Sequence, residues 1–353
     1  MWNRPGKGAA MNPKMKSALS IGFIVVSIAA VIVIAFSNQE LGDAWAAISR
    51  LNIGWVAGIA LCWWVYTFFE SFSTWLYLRG QGYRIAVLRM LAITLLGFFY
   101  SNITPSAAGG QPMQVNAMRK AGIPVAFGTM AVTIRLIANQ MVISIMSLVL
   151  LVMNLTFVRN QLNGFMWVVL IGWLINSAVV PLVLMAGFMR KGMQRLAGWV
   201  ISLGVRLHLV KNRESAEDKL MTTLDTYQNA MREMMRSPGR ILLQLGGSLI
   251  SLLGLTGSII FVYHAFGMSG TPWYRLLTLS CLLFISASYT PLPGASGAQE
   301  GGFLVYFQGI FTDGVIGLAL LTWRFFTYYL FLLTGVIMVV WEKLLTRKKK
   351  RTA

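Results

Sequence analysis

"NITPSAAGGQP", Asn102 to Pro112, stands where a membrane-spanning helix ought to be finishing. Its two prolines and two adjacent glycines break a helix and leave backbone N–H and C=O groups without helical partners. Hydrocarbon tolerates such backbone only where protein buries it or where it lines a wet cavity. Apolar segments flank the stretch, and a similar breaker, "YTPLPGASGAQEGG", returns at Tyr289 to Gly302.

The chain around these breakers has 353 residues, 56% of them hydrophobic and 12% charged. Its mean hydropathy is +0.66. A soluble protein of this size needs far more polar surface to cover its core. Apolar spans run roughly Ala18–Phe36, Ile53–Leu78, Val87–Ile103, Phe127–Met153, Phe165–Phe188, Ile241–Phe266, Leu276–Tyr289 and Val315–Trp341. The pattern is that of an all-α polytopic membrane protein. No small-residue cleavage site follows Phe36, so the first span, after the basic Met1–Lys16, is read as retained. Cys62 and Cys281 lie inside spans and suggest neither a disulfide framework nor a thiolate site. His208 and His264 are far apart and lack acidic or thiol neighbours, so no metal or cofactor is expected. A net charge of +19 could suit nucleic acid. Its distribution follows the cytoplasmic-positive bias instead, which makes anionic lipid head groups the simpler partner.

Topology follows from that bias. If all eight spans crossed, Arg119 and Lys120 would face outward. If Val87–Ala121 instead enters from the cytoplasm and turns at "TPSAAGG", Arg79, Arg84, Arg89, Arg119 and Lys120 become cytoplasmic. Parity then requires Leu276–Phe311 to be a second hairpin entering from outside. On this reading 25 of the 30 Lys/Arg are cytoplasmic, as are both termini, and the protein sits in the cell membrane. Six full crossings plus two re-entrant helical hairpins is the favoured arrangement; eight crossings is the alternative.

The breakers also align with each other. "PSAAGGQ" (Pro105–Gln111) set over "PGASGAQ" (Pro293–Gln299) matches Pro, Gly and Gln at an offset of 188. Downstream, "TIR" (Thr133–Arg135) meets "TWR" (Thr322–Arg324) at 189, and the span at Ile53 meets the span at Ile241 at 188. The expectation is a single transmembrane domain over residues 1–353. It contains inverted repeats over about 53–153 and 241–341, joined by a cytoplasmic amphipathic linker over 190–240. Within that linker, Met193–Val210 and Leu220–Met235 carry helical apolar spacing. Many transporters place their substrate near the midplane, between such halves and at broken helices.

Charges inside spans mark the candidate site. Arg135 and Arg324 occur at matching repeat positions, and Glu70 and Glu300 are the acidic counterparts. Guanidinium forks suit phosphate oxygens. Asn102, Ser106, Gln111, Asn139, Gln140 and Gln299 add polar side chains around them. The competing reading is that each arginine merely neutralises a glutamate. Pro105, Gly109, Gly110, Pro112, Pro291, Pro293, Gly294 and Gly297 shape the hairpins. Their glycines serve either close packing or backbone approach to a ligand. The aromatic and Met-rich content reads as packing and interface anchoring. No catalytic constellation is found.

With "NITPSAAGGQPMQ" (Asn102–Gln114), "TIRLIANQ" (Thr133–Gln140), "TPLPGASGAQEGGF" (Thr290–Phe303) and "TWRFFTYY" (Thr322–Tyr329) in place, the chain resembles the flippase-like transmembrane domain of lysylphosphatidylglycerol synthases. The resemblance spans nearly the whole chain. It implies movement of an anionic or aminoacylated phospholipid between leaflets, and with it a link to lipid metabolism and antibiotic resistance. In the bifunctional proteins a cytoplasmic domain transfers lysine to phosphatidylglycerol; no such domain is seen here, which implies a separate synthase as partner. On this reading the phosphate sits near Arg135 and Arg324, Glu300 faces a cationic aminoacyl group, and alanine at either arginine slows translocation without affecting expression. The rival functions are a phosphatidylglycerol lysyltransferase or other lipid-modifying enzyme, a carrier of polyprenyl-phosphate sugars, and a scaffold for a separate synthase.

Overall fold

The computed structural model describes residues 51–189 and 238–351 apart from residue 289, together with residue 49 and single positions between 192 and 232. The span Ala18–Phe36 and most of the two amphipathic linker helices lie outside the described residues. The described chain is helical throughout, as its apolar runs dictate.

The first group of elements is α1 (Ile53–Gly80), α2 (Val87–Ile103), a 3-10 turn at Pro105–Ala107, α3 (Gly110–Lys120) and α4 (Val125–Met153). Short α5 (Leu155–Leu162) and α6 (Met166–Phe188) follow. The same order then recurs: α7 (Pro238–Ala265), α8 (Trp273–Ala287), a 3-10 turn at Pro293–Ala295, α9 (Ala298–Tyr306) and α10 (Asp313–Arg324). A π turn at Phe325–Tyr329 joins α10 to α11 (Leu330–Arg351).

Four described helices are long and apolar enough to cross a bilayer: Ile53–Gly80, Val125–Met153, Pro238–Ala265 and Gly314–Glu342. Parts of the long helices bury polar side chains and expose apolar ones. On α1, Thr67, Glu70, Ser71, Ser73 and Thr74 are buried, whereas Leu61, Trp64 and Phe68 are exposed. Apolar side chains outside and polar ones inside is the arrangement a lipid solvent favours. The chain is an all-α membrane protein.

α1 and α7 pack along their length in opposite directions. A Cβ on Gly58 would strike the Phe261 ring, one on Gly254 would sit 3.0 Å from the Cys62 carbonyl oxygen, and one on Gly80 would lie 3.5 Å from the Arg240 guanidinium carbon. Small residues at these crossings let the backbones approach.

The two breakers turn the chain back rather than carrying it onward. α2 and α3 lie antiparallel: Gln114 donates to the Thr94 carbonyl at 3.5 Å, and a Cβ on Gly110 would lie 2.7 Å from the Gly97 carbonyl oxygen. α2 has 17 residues and α8 has 15, or ~26 and ~22 Å, short of a ~30 Å hydrocarbon core. Neither continues as a straight crossing. The base of the first hairpin sits at one end of the bundle, where Arg89 (2.6 Å) and Lys120 (3.8 Å) both meet Glu342 of α11. The second starts from the opposite end, where Arg275 stacks 4.8 Å from the Phe157 ring and Gln161 donates to the Gln308 carbonyl at 2.7 Å. The two tips touch each other. Each hairpin leans on the other group's long helix, α2 on α11 and α8 on α4.

Gly110→Ala is therefore expected to pry α2 from α3 and destabilise the protein by about 1–3 kcal/mol, the usual cost of overpacking. Gly301 in α9 has nothing within 4 Å of a built Cβ. Gly301→Ala should be neutral or slightly stabilising through helix propensity. Thermal unfolding of purified protein in detergent compares the two.

Candidate functional site

A cavity of about 410 Å³ lies where the two hairpin tips meet the long helices. α1 contributes Tyr66 and Glu70; α2 contributes Phe98, Ser101 and Asn102; the first tip and α3 contribute Ser106, Gly110, Gln111 and Gln114. α4 adds Arg135 and Asn139. From the second group come Thr290, Gly294, Gln299, Arg324, Thr327 and Tyr328. The volume falls in the usual range for small-molecule pockets.

Each arginine is paired, and the two pairs differ in quality. Arg324 donates from Nε to Glu300 Oε1 at 2.8 Å, and its Nη2 lies 2.7 Å from the same oxygen. Nη2 also donates to the Gly294 carbonyl at 3.2 Å, and the guanidinium lies 4.7 Å over the Tyr328 ring. Glu300 Oε2 accepts the Gly297 N–H at 2.6 Å, at the start of α9 where a helix favours negative charge. This ensemble ties the second tip to its long helix. Gly294 (φ 60) and Gly297 (φ 87) take left-handed backbone there, which glycine adopts without Cβ strain.

Arg135 is held less well. Its Nε lies 3.3 Å from Glu70 Oε2 without a well-aligned hydrogen bond. Nη2 donates to Gln114 at 2.8 Å, and Nη1 reaches Thr74 Oγ1 only at 3.4 Å. Glu70 Oε1 instead accepts from Asn139 at 2.6 Å and Ser251 at 3.1 Å. All four charged residues are at most 4% exposed.

Of the ten polar and charged positions singled out in the sequence, Glu70, Asn102, Ser106, Gln111, Arg135, Asn139, Gln299 and Arg324 line the cavity. Gln140 points instead to Asn176 of α6. Glu300 lies behind Arg324, outside the lining, so the carboxylate facing the cavity is Glu70. Among the breaker residues, Gly110 and Gly294 line the wall; Pro105, Gly109, Pro112, Pro291, Pro293 and Gly297 shape the turns behind it. Gly110 and Gly294 are close-packing positions as well, a Cβ on the latter lying 2.7 Å from Tyr328 Cδ2. Sequence reasoning missed Gln114, Thr74 and Ser251, which hold the first pair. Tyr328, next to Arg324 in the polar neighbourhood the sequence marks out, forms a cavity wall, and so does Tyr66, stacked 5.1 Å from Phe98, which the sequence reading left to packing.

Two further observations mark the site as poised. Ser106 (φ 51), Ala107 (φ 55) and Ala295 (φ 51) hold left-handed backbone at the tips, a strain that clusters at binding sites. Gln299 Oε1 is buried against the cavity without a hydrogen-bond partner.

The sequence profile of the lysylphosphatidylglycerol synthase TM region matches residues 18–335, which contain every element of this cavity. The chain belongs to that family. This member of the family is a helical bundle around paired arginines. Curated relatives of this family member include a UPF0104 membrane protein of Archaeoglobus fulgidus, 26% identical over 330 residues. That match covers 90% of this chain and 95% of the relative. A UPF0104 membrane protein of Methanothermobacter thermautotrophicus is 26% identical over 243 residues, covering 65% of this chain and 68% of its own.

Proposed function

We propose that the protein is a membrane lipid translocase for an anionic or aminoacylated phospholipid such as lysylphosphatidylglycerol. One observation carries the reading: a cavity built jointly by two oppositely based hairpins holds two guanidinium groups and a carboxylate. In this reading residues of about 53–153 and 241–341 form an inverted repeat in the cell membrane, both termini are cytoplasmic, and the hairpins are re-entrant. Phosphate oxygens approach Arg135 and Arg324, a fork geometry suited to them. Glu70, rather than Glu300, receives a cationic aminoacyl group. The acyl tails stay in the bilayer, and rocking of one group against the other exposes the cavity to each leaflet.

Reconstituted liposomes carrying labelled phospholipids of different head groups test this. Faster leaflet exchange of phosphatidylglycerol or its lysyl ester than of phosphatidylcholine is expected. Exchange no faster than in empty liposomes for every head group would refute it. A separate synthase supplies the modified lipid in this reading. Purified protein given charged lysyl-tRNA and phosphatidylglycerol should therefore form no lysyl ester.

A further inference from the structure

A second cavity, of about 380 Å³, lies at the crossing of α1 and α7 beside α4 and shares no lining residue with the first. Its rim carries Arg79 and Arg240, both exposed. Arg79 is stacked 5.0 Å from the Trp75 ring, which fixes its direction. Gly239 of α7 forms part of the wall.

The deep end is what makes this a site rather than a basic surface. Gln244 lines the cavity at 8% exposure, and its Nε2 donor has no partner. A buried amide donor left unpaired costs free energy that an acceptor oxygen would recover. Leu76, Ile134 and Leu243 supply an apolar side, and Leu243 is 52% exposed on the outer face of a membrane-crossing helix. The cavity is thus cationic at its rim, open to hydrocarbon along one wall, and short of one acceptor inside. A small aqueous anion would satisfy the first and third of these features but leave the apolar wall without purpose.

We infer that this cavity binds an acidic phospholipid, with its phosphate between Arg79, Arg240 and Gln244 and an acyl chain against Leu243 and Ile134. Basic pockets between membrane helices recognise anionic head groups in this way. The site stands apart from the proposed transport cavity, so its occupancy does not depend on translocation.

Photocrosslinking reads the position directly. A photoreactive benzoylphenylalanine replacing Leu243 is introduced into the full chain, which is placed in phosphatidylcholine nanodiscs doped with phosphatidylglycerol. Labelling of phosphatidylglycerol in excess of its share of the bilayer is expected. Arg79→Gln/Arg240→Gln should weaken that labelling about 30-fold, and Gln244→Leu about 10-fold. Arg79→Lys/Arg240→Lys keeps the charge and should retain most of the labelling, which guards against misfolding as the cause. Short-chain phosphatidylglycerol should compete, and inorganic phosphate should not. Labelling in proportion to bulk lipid, or unchanged in the glutamine variants, overturns the inference. Equal competition by inorganic phosphate would make this a small-anion site and overturn it as well.

Discussion

Arg324→Ala is expected to collapse the second hairpin rather than merely slow transport. Arg324 binds Glu300 through two nitrogens and also holds the Gly294 carbonyl. Removing it leaves a buried carboxylate with, among the described residues, only the Gly297 N–H as partner. Breaking a buried pair from one side costs about 3–5 kcal/mol. The thermal midpoint in detergent should fall sharply, and yield with it. Arg324→Met/Glu300→Met removes both charges and should regain much of that loss. An Arg324→Ala protein with the parental midpoint would show that the pair does not hold the tip. This revises the expectation from sequence that expression would be untouched.

The first pair should behave in the opposite way. Glu70→Gln/Arg135→Gln is expected to leave the fold near parental stability while cutting translocation about 10–100-fold, the worth of one charge-assisted hydrogen bond. The neutral amides keep hydrogen-bonding capacity toward Gln114, Asn139 and Ser251, which surround the pair. What they remove is the charge presented to the cavity. Arg135 is the better candidate for exchange because its Nε is poorly satisfied and its reach to Thr74 is long. Leaflet exchange in liposomes, measured beside thermal unfolding, separates the two pairs. Parental exchange in this variant would remove the first pair from any transport role.

Sequence pattern made much of this visible, for physical reasons. Prolines and glycines crowd together at 105–112 and at 291–297, a combination that stops a helix where a lone proline need not, so the two turns were legible from composition and from their common offset. Arginines in apolar spans announce buried partners. Which glutamate serves which arginine was not legible, because the pairing joins α4 to α1 but α10 to α9, an asymmetry the offset conceals. Gln140 was misplaced by grouping it with Asn139 among the polar side chains around Arg135. Asn139 stands one helical turn from Arg135, but one residue further rotates the side chain by about 100°, and it faces α6. Thr74 and Ser251 escaped notice because hydroxyls in apolar helices often bond only to their own backbone. Thr74 indeed donates to the Glu70 carbonyl at 3.2 Å while also receiving Arg135.

The touching tips have an electrical consequence. Under the proposed re-entrant arrangement, two short arms stop inside the hydrocarbon and meet, so a membrane voltage would drop over the pair of peptide turns between them. A net charge passing it would gain or lose about 2.3 kcal/mol per elementary charge per 100 mV. Under the proposed activity, phosphatidylglycerol and its lysyl ester carry net charges of opposite sign and would be driven in opposite directions by the same potential. A net-neutral zwitterion would pass indifferent to it.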